Sequence, residues 1–423
     1  MSHERLRIVL HDHGGYPFAA QLARELATRG HHVLYLHAGG MREPRVAFET
    51  RKDEPPSFQM DGVGLRERLH RRAGPGRLLQ ERRYARALAN RIRLFQPDIV
   101  LSGTGPLDAH SSAQRSAHAM GAAFVFWLQD VYSIAIDQFV GRRIPVVGRA
   151  ISIPFALLER RLLHRSDAIV ATSADFLPIL HRWRIDAERI SVVENWAPLD
   201  EVHPLPRRNR WAERNGLLAS SVLLYAGTLG RKHDPRLLLA LADELPDAVV
   251  VVVSDGVGTD LLRTIGQGRT NLILLPLQPA AEVAQMLATA DVLVALLEHR
   301  AHLFSVPSKV LTYLAAGRPI LAAMPAANLA ARTIKLARAG MVVEPSDRVG
   351  FVAAARELLN DPDARVTAGQ GARAYAEQAF DIGAITDEFE RVFTRARGAV
   401  RLKSAHGRTS TMRPPAAPPE AGL

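Results

Sequence analysis

The sequence predicts an α/β fold: two Rossmann-like, doubly wound parallel-sheet domains facing each other across a cleft. Three observations predict it. Short apolar runs alternate with helix-spaced segments along most of the chain, the pattern of βα repeats. The pattern breaks at the proline- and arginine-rich stretch Pro198 to Asn209 and then restarts. The length of 423 residues suits two large domains of about 100–200 residues each.

The first unit is the most explicit. Leu6 to Leu10 is an apolar run, followed by His11, Asp12, His13, Gly14 and Gly15. Phe18 to Gly30 has helical spacing, and Val33 to Leu36 is apolar again. Strand, glycine turn, helix and strand make a βαβ unit with parallel pairing. Residues 41–75 are charged and rich in proline and glycine, and read as a long loop. Asp98 to Leu101, Ala123 to Leu128, Asp167 to Ala171 and Ile190 to Val193 read as further strands buried on both faces.

The second series begins at Val222 to Tyr225. It continues with Ala248 to Val253, Leu272 to Leu275, Val292 to Leu296, Pro319 to Ala322 and Met341 to Val343. Helices are expected at Pro235 to Glu244, Ala280 to Thr289 and Ser308 to Ala316, with Gly317 at a helix end. Ala364 to about Arg397 reads as helical. Residues 1–200 therefore form the expected amino-terminal domain, completed by a helix at about 380–397. Residues 201–379 form the second domain, and 398–423, rich in proline, alanine and serine, a disordered tail.

Composition narrows the chemistry. Hydrophobic residues make up 47%, enough for substantial cores. Lysine and arginine number 54 against 43 aspartates and glutamates, a net charge of +11. That balance suits an anionic partner, or reflects an arginine-rich proteome. The chain contains no cysteine, which excludes disulfides, thiolate metal sites and cysteine nucleophiles together. The start reads as a first buried strand rather than a secretory signal, and no run approaches the ~20 apolar residues of a membrane span. There is no GxSxG elbow, no GxxxxGK[ST] loop and no HExxH.

Three loops at strand ends carry the candidate chemistry. Gly227, Thr228, Gly230, Arg231 and Lys232 follow the strand Val222 to Tyr225 and precede a helix. Glycines let the backbone approach a phosphate, and two cations stabilise a leaving diphosphate. The alternative is an ordinary strand-to-helix turn. Ser254, Asp255, Gly256 and Gly258 follow the next strand at the same end of the same sheet, and Leu277 follows the strand after that. The third stretch runs from Glu298 to Pro319. Pro307 and Ser308 open a helix there, with Ser308 a candidate cap and Lys309 in the first turn, where a lysine opposes the helix dipole unless an anion is bound. The alternative is a lysine reaching into solvent. In the first half, Gly14 and Gly15 would admit a substrate to the backbone, with His11 and His13 flanking them. Asp130 stands at a strand end where a carboxylate accepts hydrogen bonds from sugar hydroxyls, or else serves as a turn residue.

With these residues in hand, the chain resembles a family-4 retaining glycosyltransferase of the two-Rossmann-domain, or GT-B, type over roughly residues 5 to 397. Gly14-Gly15 sits where that family has its first glycine loop. The run from Leu158, Glu159 and Arg160 through Asp167, Ile169, Val170 and Ser173 is similar to its crossover helix and following strand. Val192, Val193, Glu194, Asn195, Trp196 and Ala197 resemble the element ahead of its hinge. The block Pro307, Ser308, Lys309, Tyr313, Leu314, Ala315, Ala316, Gly317, Arg318 and Pro319 resembles the form in exopolysaccharide and O-antigen enzymes, fucosamine-transferase-like proteins among them. Two positions depart from the widespread pattern. Thr312 stands where the family's ribose-binding glutamate is usual, and Phe304 at the earlier glutamate, so Lys309 and Glu298 would share that role. The usual arginine of the donor loop falls near Thr228, leaving Arg231 or Lys232 to meet the diphosphate.

The resemblance implies a UDP- or GDP-linked nucleotide sugar as donor substrate, with no metal and no other cofactor. It implies retention at the anomeric carbon through a front-face substitution. Lys232, Arg231, Asp130 and Glu298 are then the candidates for catalysis. Gly227, Thr228, Gly230, Gly256, Leu277, Pro307, Ser308, Lys309 and Thr312 face the donor, and Gly14, Gly15, His13 and Asn195 face the acceptor. The acceptor would be a glycan or a polyprenyl-diphosphate-linked molecule. The location would be cytoplasmic, peripheral on the inner face of the membrane. One arginine set runs from Arg66 to Arg93; a second, Arg142, Arg143, Arg149, Arg160, Arg161 and Arg165, flanks apolar Ile144 to Leu158. Both suit an anionic membrane surface, or a solvated face over a core helix. Competing readings are a sugar-nucleotide 2-epimerase, a catalytically silent scaffold and a nucleic-acid-binding protein. The last is disfavoured by an aromatic content of 6% and the lack of a nucleic-acid motif.

Overall fold

The computed structural model describes residues 4–39, 54–64, 75–134, 145–299 and 307–409. Seven strands form the first sheet: β1 (Arg7–His11), β2 (His32–Ala38), β3 (Phe58–Val63), β4 (Ile99–Ser102), β5 (Ala123–Leu128), β6 (Ala168–Ala171) and β7 (Ile190–Val192). Their order is β3-β2-β1-β4-β5-β6-β7, and every pairing is parallel. Six more form the second: β8 (Ser221–Ala226), β9 (Ala248–Val253), β10 (Leu272–Leu275), β11 (Val292–Leu296), β12 (Ile320–Ala323) and β13 (Gly340–Val343). Their order is β10-β9-β8-β11-β12-β13, again all parallel. These are the two doubly wound sheets that the alternating pattern predicts.

Strands covered by helices on both faces carry apolar residues throughout. In β5 all six residues are buried, so its sequence is a continuous apolar run rather than an alternating one. Each sheet reverses direction beside its first strand. Loops leaving β1 and β4, and those leaving β8 and β11, therefore splay apart and open a crevice at the carboxyl ends.

Two sequence expectations are corrected. Within the supposed loop 41–75, β3 is a strand on the edge of the first sheet, with Val33 opposite Phe58 and Ala38 opposite Val63. An edge strand has one neighbour, and only Phe58 and Val63 of β3 are buried, so no apolar run announces it. The remaining residues of that stretch lie outside those described, except Glu54 to Ser57, Gly64 and Pro75. At the other end, the last helix runs from Ile382 to Thr409, beyond the expected limit near Arg397. Its final turns are charged: Arg401 pairs with Glu4 at 3.2 Å and Lys403 with Asp167 at 2.9 Å. Charged residues interrupt the apolar spacing of these turns. The rest of the supposed tail, 410–423, lies outside the described residues.

The last helix packs on the first sheet, not the second. Phe389 lies edge-to-face against Trp127, with ring centroids 5.1 Å apart. Arg29 reaches Asp387 at 2.5 Å and Glu390 at 2.8 Å. Between the lobes, Arg332 donates to both carboxylate oxygens of Asp175 at 3.0 Å. No helix among the described residues is long and apolar enough to cross a membrane.

Candidate functional site

A cavity of about 530 Å³ lies between the two lobes and is lined from both. On the carboxy-terminal side the wall begins where β8 ends. Gly227 has φ of +106°, a left-handed turn that glycine adopts without a Cβ clash. Its N–H donates to the carbonyl of Val253 at 2.9 Å. The Tyr225 hydroxyl donates to the carbonyl of Thr228 at 3.0 Å. This donor loop and the loop after β9 are tied together: Leu229 donates to the carbonyl of Asp255 and Gly258 to that of Leu229, each at 2.9 Å.

His233 closes the donor loop from within. Its Nδ1 accepts from the N–H of Gly230 at 3.0 Å. Burial, with Lys309 and then Lys232 nearby, pushes its imidazole down to about 2. The ring is therefore neutral, and the positive charge at this end of the cleft belongs to the two lysines. Lys309 stands at the start of the helix Lys309–Ala315, its Nζ lying 3.4 Å from the centroid of the Tyr225 ring. That helix is braced on β8: the Tyr313 hydroxyl accepts from the N–H of Ala226 at 2.9 Å.

On the opposite wall, Gln129 and Asn195 exchange amide hydrogen bonds of 2.6 and 3.3 Å and both line the cavity beside Asp130. Buried Glu159 accepts from the N–H groups of Tyr132 at 2.8 Å and Ser133 at 2.9 Å. It fixes the chain just past Asp130. Burial raises this carboxyl despite those bonds.

The sequence candidates divide clearly. Lys232, Asp130, Asn195, Gly227, Thr228, Gly230, Leu277, Pro307, Ser308, Lys309 and Thr312 all line the cavity. Six other positions lie off this lining, and one expected capping bond is not made. Arg231 is exposed and off the lining, because the turn that sends Lys232 inward sends its neighbour outward. Glu298 is also off the lining; its N–H donates to the carbonyl of Lys232 at 2.9 Å, so it supports the donor loop through the backbone. Gly256, with φ of +107°, underlies the loop instead of facing the cleft; an added Cβ would come within 3.0 Å of the Leu229 carbonyl. Ser308 makes no side-chain cap bond, which leaves its hydroxyl to the cleft. Phe304 lies outside the described residues.

Gly14, Gly15 and His13 are the other displaced candidates: they lie behind the lining, which Tyr16 and Thr104 form in their place. Asp12 builds that loop, accepting from the N–H groups of Tyr16 at 2.6 Å and Gly14 at 3.2 Å, and from the hydroxyls of Tyr35 and Thr104. His13 packs edge-to-face on Tyr84 at 4.9 Å, and burial, with Arg77 adding to it, pushes its imidazole down to about 4. His11 bridges Ser102 and Tyr84, both at 2.9 Å. These histidines belong to the packing beneath the loop. Sequence reasoning missed His233, Gln129 and Glu201 on the lining. His233 adjoins Lys232 and could have been suspected. Glu201 stands in the linker, where no local pattern marks it.

The comparisons with known proteins agree with this architecture. Residues 13–201 match the model of Glycosyltransferase Family 4, and residues 220–361 match Glycosyl transferases group 1. The putative colanic acid biosynthesis glycosyl transferase WcaI of Escherichia coli K12 is 24% identical over 299 residues, spanning 68% of this chain and 72% of that protein. Among solved structures, sucrose-phosphate synthase from Thermosynechococcus elongatus superposes with a TM-score of 0.72 at 16% identity, covering 93% of this chain and all of that one (100%). Anabaena HepE in complex with UDP-glucose superposes with a TM-score of 0.66 at 14% identity, covering 92% and 100%. With one glycosyltransferase model on each lobe and the candidate site in the cleft between them, the chain is a glycosyltransferase of the GT-B fold.

Proposed function

We propose that this enzyme moves a hexosyl or N-acetylhexosaminyl group from a UDP- or GDP-linked donor to a glycan or polyprenyl-diphosphate-linked acceptor, with retention, in cell-surface polysaccharide synthesis. The observation that carries the proposal is the convergence of Lys232, Lys309 and the Gly227 turn on one wall of the cleft. Two ammonium groups and a backbone that lets a ligand come close suit a diphosphate as ground-state ligand and as leaving group. The neutral His233 behind them adds no charge of its own. The sugar would then point across the cleft to the Asp130, Gln129 and Asn195 wall, where hydroxyls find acceptors and donors. The names of HepE's ligand and of WcaI's pathway support the donor class and the polysaccharide setting.

The acceptor side favours a membrane-presented molecule. On the helix Pro145–Arg165, Ile153 is 55% and Leu157 62% exposed, beside exposed Arg160, Arg161 and Arg165. Apolar and cationic side chains together suit the inner, anionic face of a bilayer.

The primary test is thermal stabilisation by a panel of nucleoside diphosphates and their sugars, since a ligand that binds only the folded chain raises its melting temperature. A shift with UDP or GDP that disappears in Lys232→Ala supports the donor site. No shift with any of them overturns the nucleotide-sugar reading. For the membrane, flotation with anionic vesicles is expected, and absence of binding removes that part.

A further inference from the structure

Two carboxylate residues line the cleft among the described residues, Asp130 and Glu201. Asp130 stands past the end of β5, on the amino-terminal wall. Glu201 stands in the linker, in a turn closed by a 3.0 Å bond from the N–H of Val202 to the carbonyl of Pro198. Its neighbours are pinned to both lobes. Asp200 accepts from the amide of Gln21 at 3.1 Å. The Val202 carbonyl accepts from Arg373 at 3.3 Å, and the same guanidinium nitrogen donates to the carbonyl of Ala315 at 2.9 Å. That shared donor sets the turn beside the carboxyl end of the helix Lys309–Ala315, whose Thr312 lines the cleft one turn after Lys309.

The wall this completes has three chemistries. Lys232 and Lys309 supply cations. Leu277, Val283 and Met286 supply apolar surface suited to a flat ring. A nucleoside diphosphate has a third part, the ribose with its vicinal hydroxyls. Two adjacent O–H donors are matched by one carboxylate, whose two oxygens accept from both. The single hydroxyl oxygen of Thr312 is a weaker match, and Glu298 is off the lining. We infer that Glu201 binds the vicinal hydroxyls of the donor's ribose. This deepens the proposed function and rests on its reading of the cleft as a nucleotide-sugar site. Because the turn is anchored to both lobes, the contact also joins donor binding to the linker between them.

The experiment measures, by calorimetry on the full chain, the affinities of UDP and GDP and of their 2′-deoxy and 3′-deoxy forms. Wild type is expected to bind the better ribonucleotide roughly ten- to a hundred-fold more tightly than its deoxy forms, the range for hydrogen bonds to a charged acceptor. Glu201→Gln is expected to shrink that ratio toward one while inorganic diphosphate binds it as it binds wild type, which also shows that the variant is folded. Asp130→Asn is expected to keep the wild-type ratio. If Glu201→Gln retains the full preference for the ribonucleotide, the assignment is wrong although the nucleotide site stands. If neither nucleotide binds wild type, the nucleotide-sugar reading falls and the assignment with it.

Discussion

The Nζ of Lys309 lies 3.4 Å from the centroid of the Tyr225 ring, so the cation that opens one helix is seated on the aromatic face of the strand β8. Such a contact contributes about 0.5–2 kcal/mol, depending on exposure. It also fixes the ammonium beside the Gly227 turn, where an added Cβ would stand 3.8 Å from it. Lys309→Met keeps most of the stem and removes the charge. It should cost about 2 kcal/mol of stability or less, read from the denaturation midpoint, and weaken nucleoside diphosphate binding at least ten-fold by calorimetry.

Lys232→Ala tests the proposed charge stabilisation. Its side chain is partly exposed and lines the cleft, so folding should change little. Turnover should fall by about 10²–10³, the range for removing one preorganised stabiliser of developing negative charge. Unchanged turnover takes Lys232 out of the site.

Gly258 tests the bracing of the donor loop. A Cβ there would lie 2.6 Å from Cγ of Leu229 and 2.8 Å from its carbonyl oxygen, closer than such atoms come. Gly258→Ala should displace Leu229 and with it the Gly227–Gly230 turn. The expected result is weaker nucleotide binding with the packing of Trp127 intact, read by calorimetry alongside tryptophan fluorescence. Wild-type affinity would show that the two loops move independently.

Acid should destabilise the protein through its buried neutral histidines. His233 is pushed down to about 2, His110 to about 3 and His13 to about 4, with burial the largest cause in each. Near pH 6.5 and below, the unfolded chain takes up protons that the folded chain refuses. Stability is thus full above that pH and falls as the pH drops toward 4, at up to about 1.4 kcal/mol per pH unit for each group. His233→Asn should flatten the slope by about one proton's worth, measured as denaturation midpoint against pH. An unaltered slope would place His233 in a protonated or exposed state.

Phe389 is fully buried against Trp127 and Trp196. Phe389→Ala should cost about 3–5 kcal/mol and shift the emission of those tryptophans. A small cost would mean that the last helix is only loosely attached.

Much of the fold was legible because parallel strands covered on both faces advertise themselves as apolar runs. β5, β9, β10 and β11 appear at the same residues in sequence and structure. The edge strand β3 was not legible, since a strand with one neighbour keeps polar positions such as Gln59 and Asp61. In the site, residue type at a strand end pointed to Lys232 and Asp130, which line the cleft, yet not to which of two adjacent cations turns inward. The glycine pair Gly14-Gly15 suggests a surface open to substrate; only the hydrogen bonds of Asp12 show that the pair shapes a loop whose neighbours Tyr16 and Thr104 face the cleft. Glu201 was invisible because its place depends on the contacts of its neighbours, Asp200 with Gln21 and Val202 with Arg373, whose partners are remote in the chain.

The last helix has a consequence for synthesis. Its Phe389 and Phe393 pack on the aromatic residues of the first lobe, yet they are made after every strand of the second. Until Ile382 to Ala396 emerges, Trp127 and Trp196 have Phe18 and each other as ring partners but lack Phe389, in a lobe whose strands are already made. The nascent first lobe is therefore unfinished throughout translation of the second, and its apolar face is exposed to chaperones and to other chains for that whole interval.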